Sequence, residues 1–158
     1  MTDLLKRVHT LLSGMESVTD VGGHPEMITV LVRAMGQFRA NDICITVDVV
    51  DDRVDIGAAL LSTEHLEEGM LEHLLGKVAS MQADLDGARI LSSGGYLAAN
   101  ISLLVQEPEA LQSDFQSLFF QFALEVAAIR EELSRTAQEY VQNHHSQGET
   151  ASPLKPDR

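Results

Sequence analysis

The sequence predicts an α+β fold, in the order helix, strands, helix, hairpin, helix, with an antiparallel twisted sheet packed by a long C-terminal helix. Three observations carry this. Two stretches alternate apolar and polar residues on either side of short turns, the mark of hairpins. A middle segment and the C-terminal third instead repeat apolar residues every three or four positions, the mark of helices. The two periods occur in blocks, which favours α+β over a wound parallel sheet. With 158 residues the chain is long enough for one domain with a substantial core.

The elements follow in order. From Asp3 to about Met15, Leu4, Leu5, Val8, Leu11, Leu12 and Met15 recur at helical spacing, and Thr2 and Asp3 are good capping types. Val21-Gly22-Gly23-His24-Pro25 then reads as a break. Met27-Ile28-Thr29-Val30-Leu31-Val32 is rich in β-branched residues and reads as a strand, although Pro25-Glu26 would also suit a helix start. Ile43, Ile45, Val47 and Val49 alternate with more polar neighbours. Asp51-Asp52-Arg53 makes a turn, and Val54, Ile56, Ala58 and Leu60 alternate in their turn, giving a hairpin with one apolar face.

Ser62 and Thr63 are suited to cap the helix that follows. Its stripe is Leu66, Met70, Leu74, Val78, Met81 and Leu85, widened by Leu71 and Leu75, and Asp86-Gly87 ends it. Ala88–Leu91 and Tyr96–Val105 form a second hairpin through Ser92-Ser93-Gly94-Gly95, whose glycines supply the positive φ of a tight turn. After Pro108, the positions Leu111, Phe115, Leu118, Phe122, Val126, Ile129 and Leu133 define a helix from about Glu109 to Tyr140, with Phe119 on the same stripe. Phe120, Leu124 and Ala128 lie off the stripe, so a second face meets something else. The expected organisation is one domain over residues 1–142 and a flexible polar tail over 143–158.

Charge restricts the partners. The 24 acidic and 11 basic residues give a formal net charge of −13, which repels nucleic acid and anionic membrane surfaces. Acidity favours solubility and basic partners. Cys44 is the single cysteine, so no internal disulfide forms. No apolar h-region follows the N-terminus and no apolar run approaches the ~20 residues of a membrane span. A cytoplasmic location is expected.

Catalytic signatures are missing. The chain has no phosphate loop, no HExxH, no CxxC and no GxSxG. Cys44 falls inside a predicted strand and reads as a small buried hydrophobe. Glu64, His65, Glu68, Glu72 and His73 are the strongest metal-ligand candidates, but acidic residues at a helix start also answer the positive end of the dipole. A solvated helix face is the preferred reading. Asp48, Asp51, Asp52 and Asp55 lack the glycine-bearing turn and terminal Glu of a calcium loop. His144-His145 and His24 carry no pattern. The expectation is a chain that is not an enzyme and needs no metal or cofactor. The surplus is apolar surface: the amphipathic segments offer more apolar faces than one sheet layer covers, and such faces drive association.

The order of elements resembles the class I type III secretion chaperones. The local likeness is greatest at the end, in the glycine pair, Tyr96-Leu97-Ala98-Ala99-Asn100-Ile101-Ser102-Leu103, a Pro-containing turn and the stripe from Leu111 to Leu133. The acidic balance and polar tail also fit, and the length is similar to the multi-effector subclass. The resemblance implies a cytoplasmic homodimer that keeps the N-terminal segment of secreted effector proteins unfolded for export, with a secretion ATPase as a further partner. It points to Leu71, Leu74, Leu75 and Val78 as dimer interface. It points to Leu4, Val8, Leu11, Val30 and Val32 as effector contacts. The same architecture resembles the YbjN-like sensory or regulatory proteins, and a metal or small-ligand sensor using the Glu64–His73 segment is the remaining alternative.

Overall fold

A computed structural model gives the order α1 (Asp3–Ser13), β1 (Val18–Gly23), β2 (Met27–Val32), β3 (Ile43–Val50), β4 (Arg53–Ser62), α2 (Glu68–Gln82), β5 (Arg89–Ser93), β6 (Tyr96–Leu104) and α3 (Leu111–Ala151). The structure describes residues 3–15, 18–23, 27–32, 43–107 and 111–151. The α+β class and the long C-terminal helix match the sequence expectation. Six strands make one antiparallel sheet in the order β1-β2-β3-β4-β6-β5.

Alternation decides which side of each strand is buried. Ile43, Ile45 and Val47 of β3 and Val54, Ile56, Ala58 and Leu60 of β4 all point into the core. Asp51 closes their turn at a φ of 58°, a left-handed conformation that Asp tolerates better than bulkier residues. In the β5–β6 turn, Gly94 and Gly95 both have positive φ, 57° and 83°, as a two-residue hairpin loop requires. β6 then lies against β4, with the register slipping between Ala59 and Leu61. Such a slip bends and twists the strand.

All three helices lie on the buried face. α1 and α3 both pack on β3 and touch each other, and α2 packs on α3 and β5. α3 contributes Phe115, Phe119, Phe122, Val126, Ile129 and Leu133 to the core, and α1 contributes Leu5, Val8 and Leu12. The Phe115 and Phe119 rings stack with centroids 5.8 Å apart. Aromatics are 4% of the chain, so placing three of five phenylalanines fully buried on one helix makes α3 the mass of the core.

On α2 only Leu74 is fully buried, with Met70, Val78 and Met81 packed partly against the core, and polar links add to these contacts. The Gln82 amide donates to the Ala88 carbonyl at 2.8 Å and accepts from the Ile90 N–H at 2.7 Å, fastening the end of α2 to β5. Lys77 reaches Glu132 of α3 at 2.9 Å, and Arg135 closes on the same carboxylate. The Lys77 hydrogen bond, aided by the charges of Arg135 and Lys77, holds the Glu132 pKa below its ordinary value. A lowered carboxylate pKa contributes stability that is present above the unfolded value of about 4.5 and disappears as pH falls through the folded one. Amide exchange across α2 is therefore expected to accelerate in Glu132→Gln at neutral pH, and to lose that acceleration relative to wild type only as pH falls below the ordinary carboxylate value and through the lowered Glu132 pKa.

Several local expectations are revised. Residues read as a break, Val21 to Gly23, belong to edge strand β1, where Gly22 pairs with Thr29 and Gly23 with Ile28. His24 and Pro25 lie outside the described residues. Ser62 ends β4, and the Thr63 N–H donates to the Gly95 carbonyl at 2.8 Å, so neither residue caps α2. The helix starts instead at Glu68, with Glu67 at its cap position making no side-chain capping bond. Helical backbone in α3 continues past Tyr140 to Ala151, into the stretch expected as a tail, and residues 152–158 lie outside the described residues. Cys44 is exposed, because odd-numbered residues of β3 face the core and Cys44 faces out.

Candidate protein-binding surfaces

A helix in contact with one neighbour leaves its opposite side available. On α2, Met70, Val78 and Met81 turn towards the core, as does Leu66 just before the helix, and Leu74 is fully buried. Leu71 and Leu75, four residues apart on one side of the helix, are half-buried and 40% exposed respectively. Gly76 lies further round the helix, about 100° from Leu75, and a Cβ there would meet nothing within 4 Å. Glycine inside a helix costs about 1 kcal/mol relative to alanine. Nothing within the described protomer requires it. Leu71 and Leu75 form the exposed apolar edge of α2.

The predicted contact residues divide. Val8 and Leu74 are fully buried, which corrects their assignment to binding surfaces: their side chains complete the core of the single chain. Leu4, Leu11 and Val78 are half-buried and pack against that core. Val30 and Val32 pair through their backbones with Ile45 and Ile43, and their side chains lie outside the described residues. Leu71 and Leu75 remain on the surface.

The second surface is the outer face of the sheet, which no described helix covers. Sequence reasoning overlooked it. Its centre is made of small residues: Gly57 pairs with Asn100, and Ala59 with Ala98, across the β4–β6 ladder. Larger apolar side chains stand at its margins, with Met27, Val50, Leu91, Tyr96 and Leu104 all substantially exposed. An exposed apolar residue at the outward position of successive strands was the signal available in the sequence. It was masked because the inner face of the same strands is more apolar still.

The remaining candidate chemistry is dispersed. Glu64 and His65 precede α2, whereas Glu68, Glu72 and His73 lie on it. Among the described residues no group of three or more His, Cys, Asp or Glu side chains converges to hold a metal ion. His73 instead packs beside Tyr140 with ring centroids 5.5 Å apart, and Tyr140 stacks on His144 at 3.8 Å. The Tyr140 hydroxyl sits over Gly69, where there is no room for a Cβ. These rings tie the end of α3 to the start of α2. On the β3–β4 hairpin, Asp55 accepts from Arg53 at 3.0 Å and from the Ser102 hydroxyl. A cleft of about 210 Å³ lies between the end of β6 and α3, lined by Leu103, Leu104, Gln106, Leu111 and Asp114. It is below the roughly 300–1,000 Å³ usual for small-molecule sites. No helix among the described residues is long and apolar enough to cross a membrane.

No family model matches the chain, and no curated protein matches it. Solved structures do share its fold. A chain of the ExsC–ExsE complex superposes with a TM-score of 0.55 at 14% identity, covering 84% of this chain and 97% of that one. YbjN from E. coli, described as a candidate transcription regulator, superposes with a TM-score of 0.54 at 10% identity, covering 81% of this chain and 92% of YbjN. At these identities the likeness shows the fold alone. The chain thus has the α+β, long-helix fold found in YbjN and in the ExsC–ExsE complex.

Proposed function

We propose that this protein is a chaperone of type III secretion: it binds effector proteins in the bacterial cytoplasm, keeps their N-terminal segment unfolded and promotes their export. The observation that carries the reading is the one-sided placement of the helices, which leaves a broad sheet face and the Leu71–Leu75 side of α2 for other chains. The likeness to a chain crystallised in a two-protein complex supports it at the level of fold. The chain works as a homodimer through α2, without catalysis, metal or cofactor. Its charge of −13 keeps the apolar surfaces in solution and favours basic partners, and delivery to a secretion ATPase follows binding.

Deleting the gene is expected to remove one or more secreted proteins from the culture medium while their transcripts stay at wild-type levels. An unchanged set of secreted proteins overturns the reading. The comparable likeness to YbjN favours a regulator as the second reading. It predicts the reverse result, altered transcripts with export of each translated protein intact.

A further inference from the structure

We propose that the bare outer face of the sheet seats an amphipathic helix of the partner protein, apolar along one side and basic at the end that lies over the β3–β4 turn. The inference rests on the chaperone reading for the existence of a partner, and adds its form and its place. The nine residues of β6 run the length of the face, about 27 Å at 3.3–3.4 Å per residue. Tyr96 and Leu104 stand at its two ends, 47% and 54% exposed. Leu91 supports the first end from β5, and Val50 the second, through the pairing of Val50 with Arg53 and of Arg53 with Leu104. Between the ends, Gly57, Ala59 and Ala98 form a low floor towards Tyr96, and Thr46, Asp55, Asn100 and Ser102 form a polar one towards Leu104. A trough of that length takes about 18 residues of helix at 1.5 Å per residue.

A helix suits the face better than a strand. β3, β4 and β6 each have a hydrogen-bonded neighbour on both sides, so the face offers side chains and no free backbone. A bound segment must satisfy its own N–H and C=O groups when water is displaced, and a helix does so internally. The charges give the direction. Asp48, Asp51 and Asp52 lie at the Val50 end, and Asp48 sits directly across the ladder from Asp55. Asp55 already holds Arg53 and Ser102, while Asp48, Asp51 and Asp52 have no ion-pair partner among the described residues. Like charges opposite one another are unfavourable, and a lysine or arginine arriving from outside relieves them. Arg89 pairs with Asn100 at the middle of the face, and the Tyr96 end, paired with Ser93, carries no acidic cluster of this kind.

Cys44 gives the test its readout. It is the single cysteine, exposed, and on the outer side of β3 two residues from Thr46. The probe is a synthetic 18-residue amphipathic peptide with leucines on one side and three lysines at one end, added to the full chain while Ellman's reagent modifies Cys44. Modification is expected to slow about tenfold at saturating peptide, and a peptide with glutamates in place of the lysines is expected to bind about tenfold more weakly. Ala98→Arg and Ala59→Arg, each checked for native circular dichroism, are expected to abolish the protection. Using two positions guards against one failing to fold. Peptide binding that leaves Cys44 equally reactive overturns the inference, as does equal protection by the two peptides or undiminished protection in a folded arginine variant. Protection that rises with chain concentration alone assigns the face to a second copy and also overturns it. None of these outcomes bears on whether deletion of the gene abolishes export, so the two claims fail separately.

Discussion

Phe122→Ala is expected to destabilise the fold by about 3–5 kcal/mol, a large share of the roughly 5–15 kcal/mol that holds a typical domain together. Phe122 is fully buried on the sheet-facing side of α3, in a core where Phe115, Phe119, Val126 and Ile129 are its partners along the helix. Phe115 and Phe119, the nearby rings on α3, are themselves fully buried in the same core, so they are not free to fill the space left behind. The cost is the lost transfer energy together with the unfilled cavity. Urea denaturation followed by circular dichroism measures it. A midpoint that falls with an unchanged slope is the expected signature, because the surface exposed on unfolding stays the same. Phe120→Ala, one residue away, serves as the comparison. Its side chain is 44% exposed on the other side of α3, and its removal is expected to cost well under half as much.

The double substitution Leu71→Asp with Leu75→Asp is expected to convert the proposed dimer to a folded monomer. Fully burying an exposed leucine is worth about 1.5–3 kcal/mol, and these are already about half covered; a symmetric dimer loses four of them, two from each copy, so association weakens by roughly 10²–10⁴-fold. Charged aspartates placed against their symmetry mates add repulsion. The fold is expected to survive, since neither leucine belongs to the buried core and Leu74 between them is untouched. Light scattering reads the result directly as a change from twice 17.3 kDa to 17.3 kDa. A variant that stays dimeric places the interface elsewhere.

Period-two and period-3.6 patterns made most of this fold legible. The β3–β4 and β5–β6 hairpins and the buried stripe of α3 follow the residues that announced them. Edge strand β1 was illegible because Val18-Thr19-Asp20-Val21-Gly22-Gly23 has little apolar alternation and ends in two glycines, which elsewhere mark turns. An edge strand is satisfied by one neighbour, so its sequence is less constrained. The start of α2 was misplaced because Ser62 and Thr63 have the right chemistry for a cap but are claimed by the sheet through the Thr63–Gly95 bond. Long-range pairing overrode the local signal.

The binding surfaces were less legible for a different reason. A helix stripe records that a side chain is apolar, and says nothing about which chain buries it. Val8 and Leu74 therefore looked the same as Leu71 and Leu75, although the first two close the core and the last two face outwards. Cys44 illustrates the same point on a strand. Its place inside a strand reads as that of a small buried hydrophobe, yet alternation sends it to the side that no described helix covers. Only the placement of all three helices on one face reveals that this side is open.

Whether the chain works by holding another protein is tested most directly by native mass spectrometry of the full chain purified from its native cells. The account predicts a complex of two copies, twice 17.3 kDa, with one protein that is also found in the culture medium. That bound protein is expected to be cut by protease at its N-terminal segment once it is separated from this chain. A single chain of 17.3 kDa with no bound protein would contradict the account.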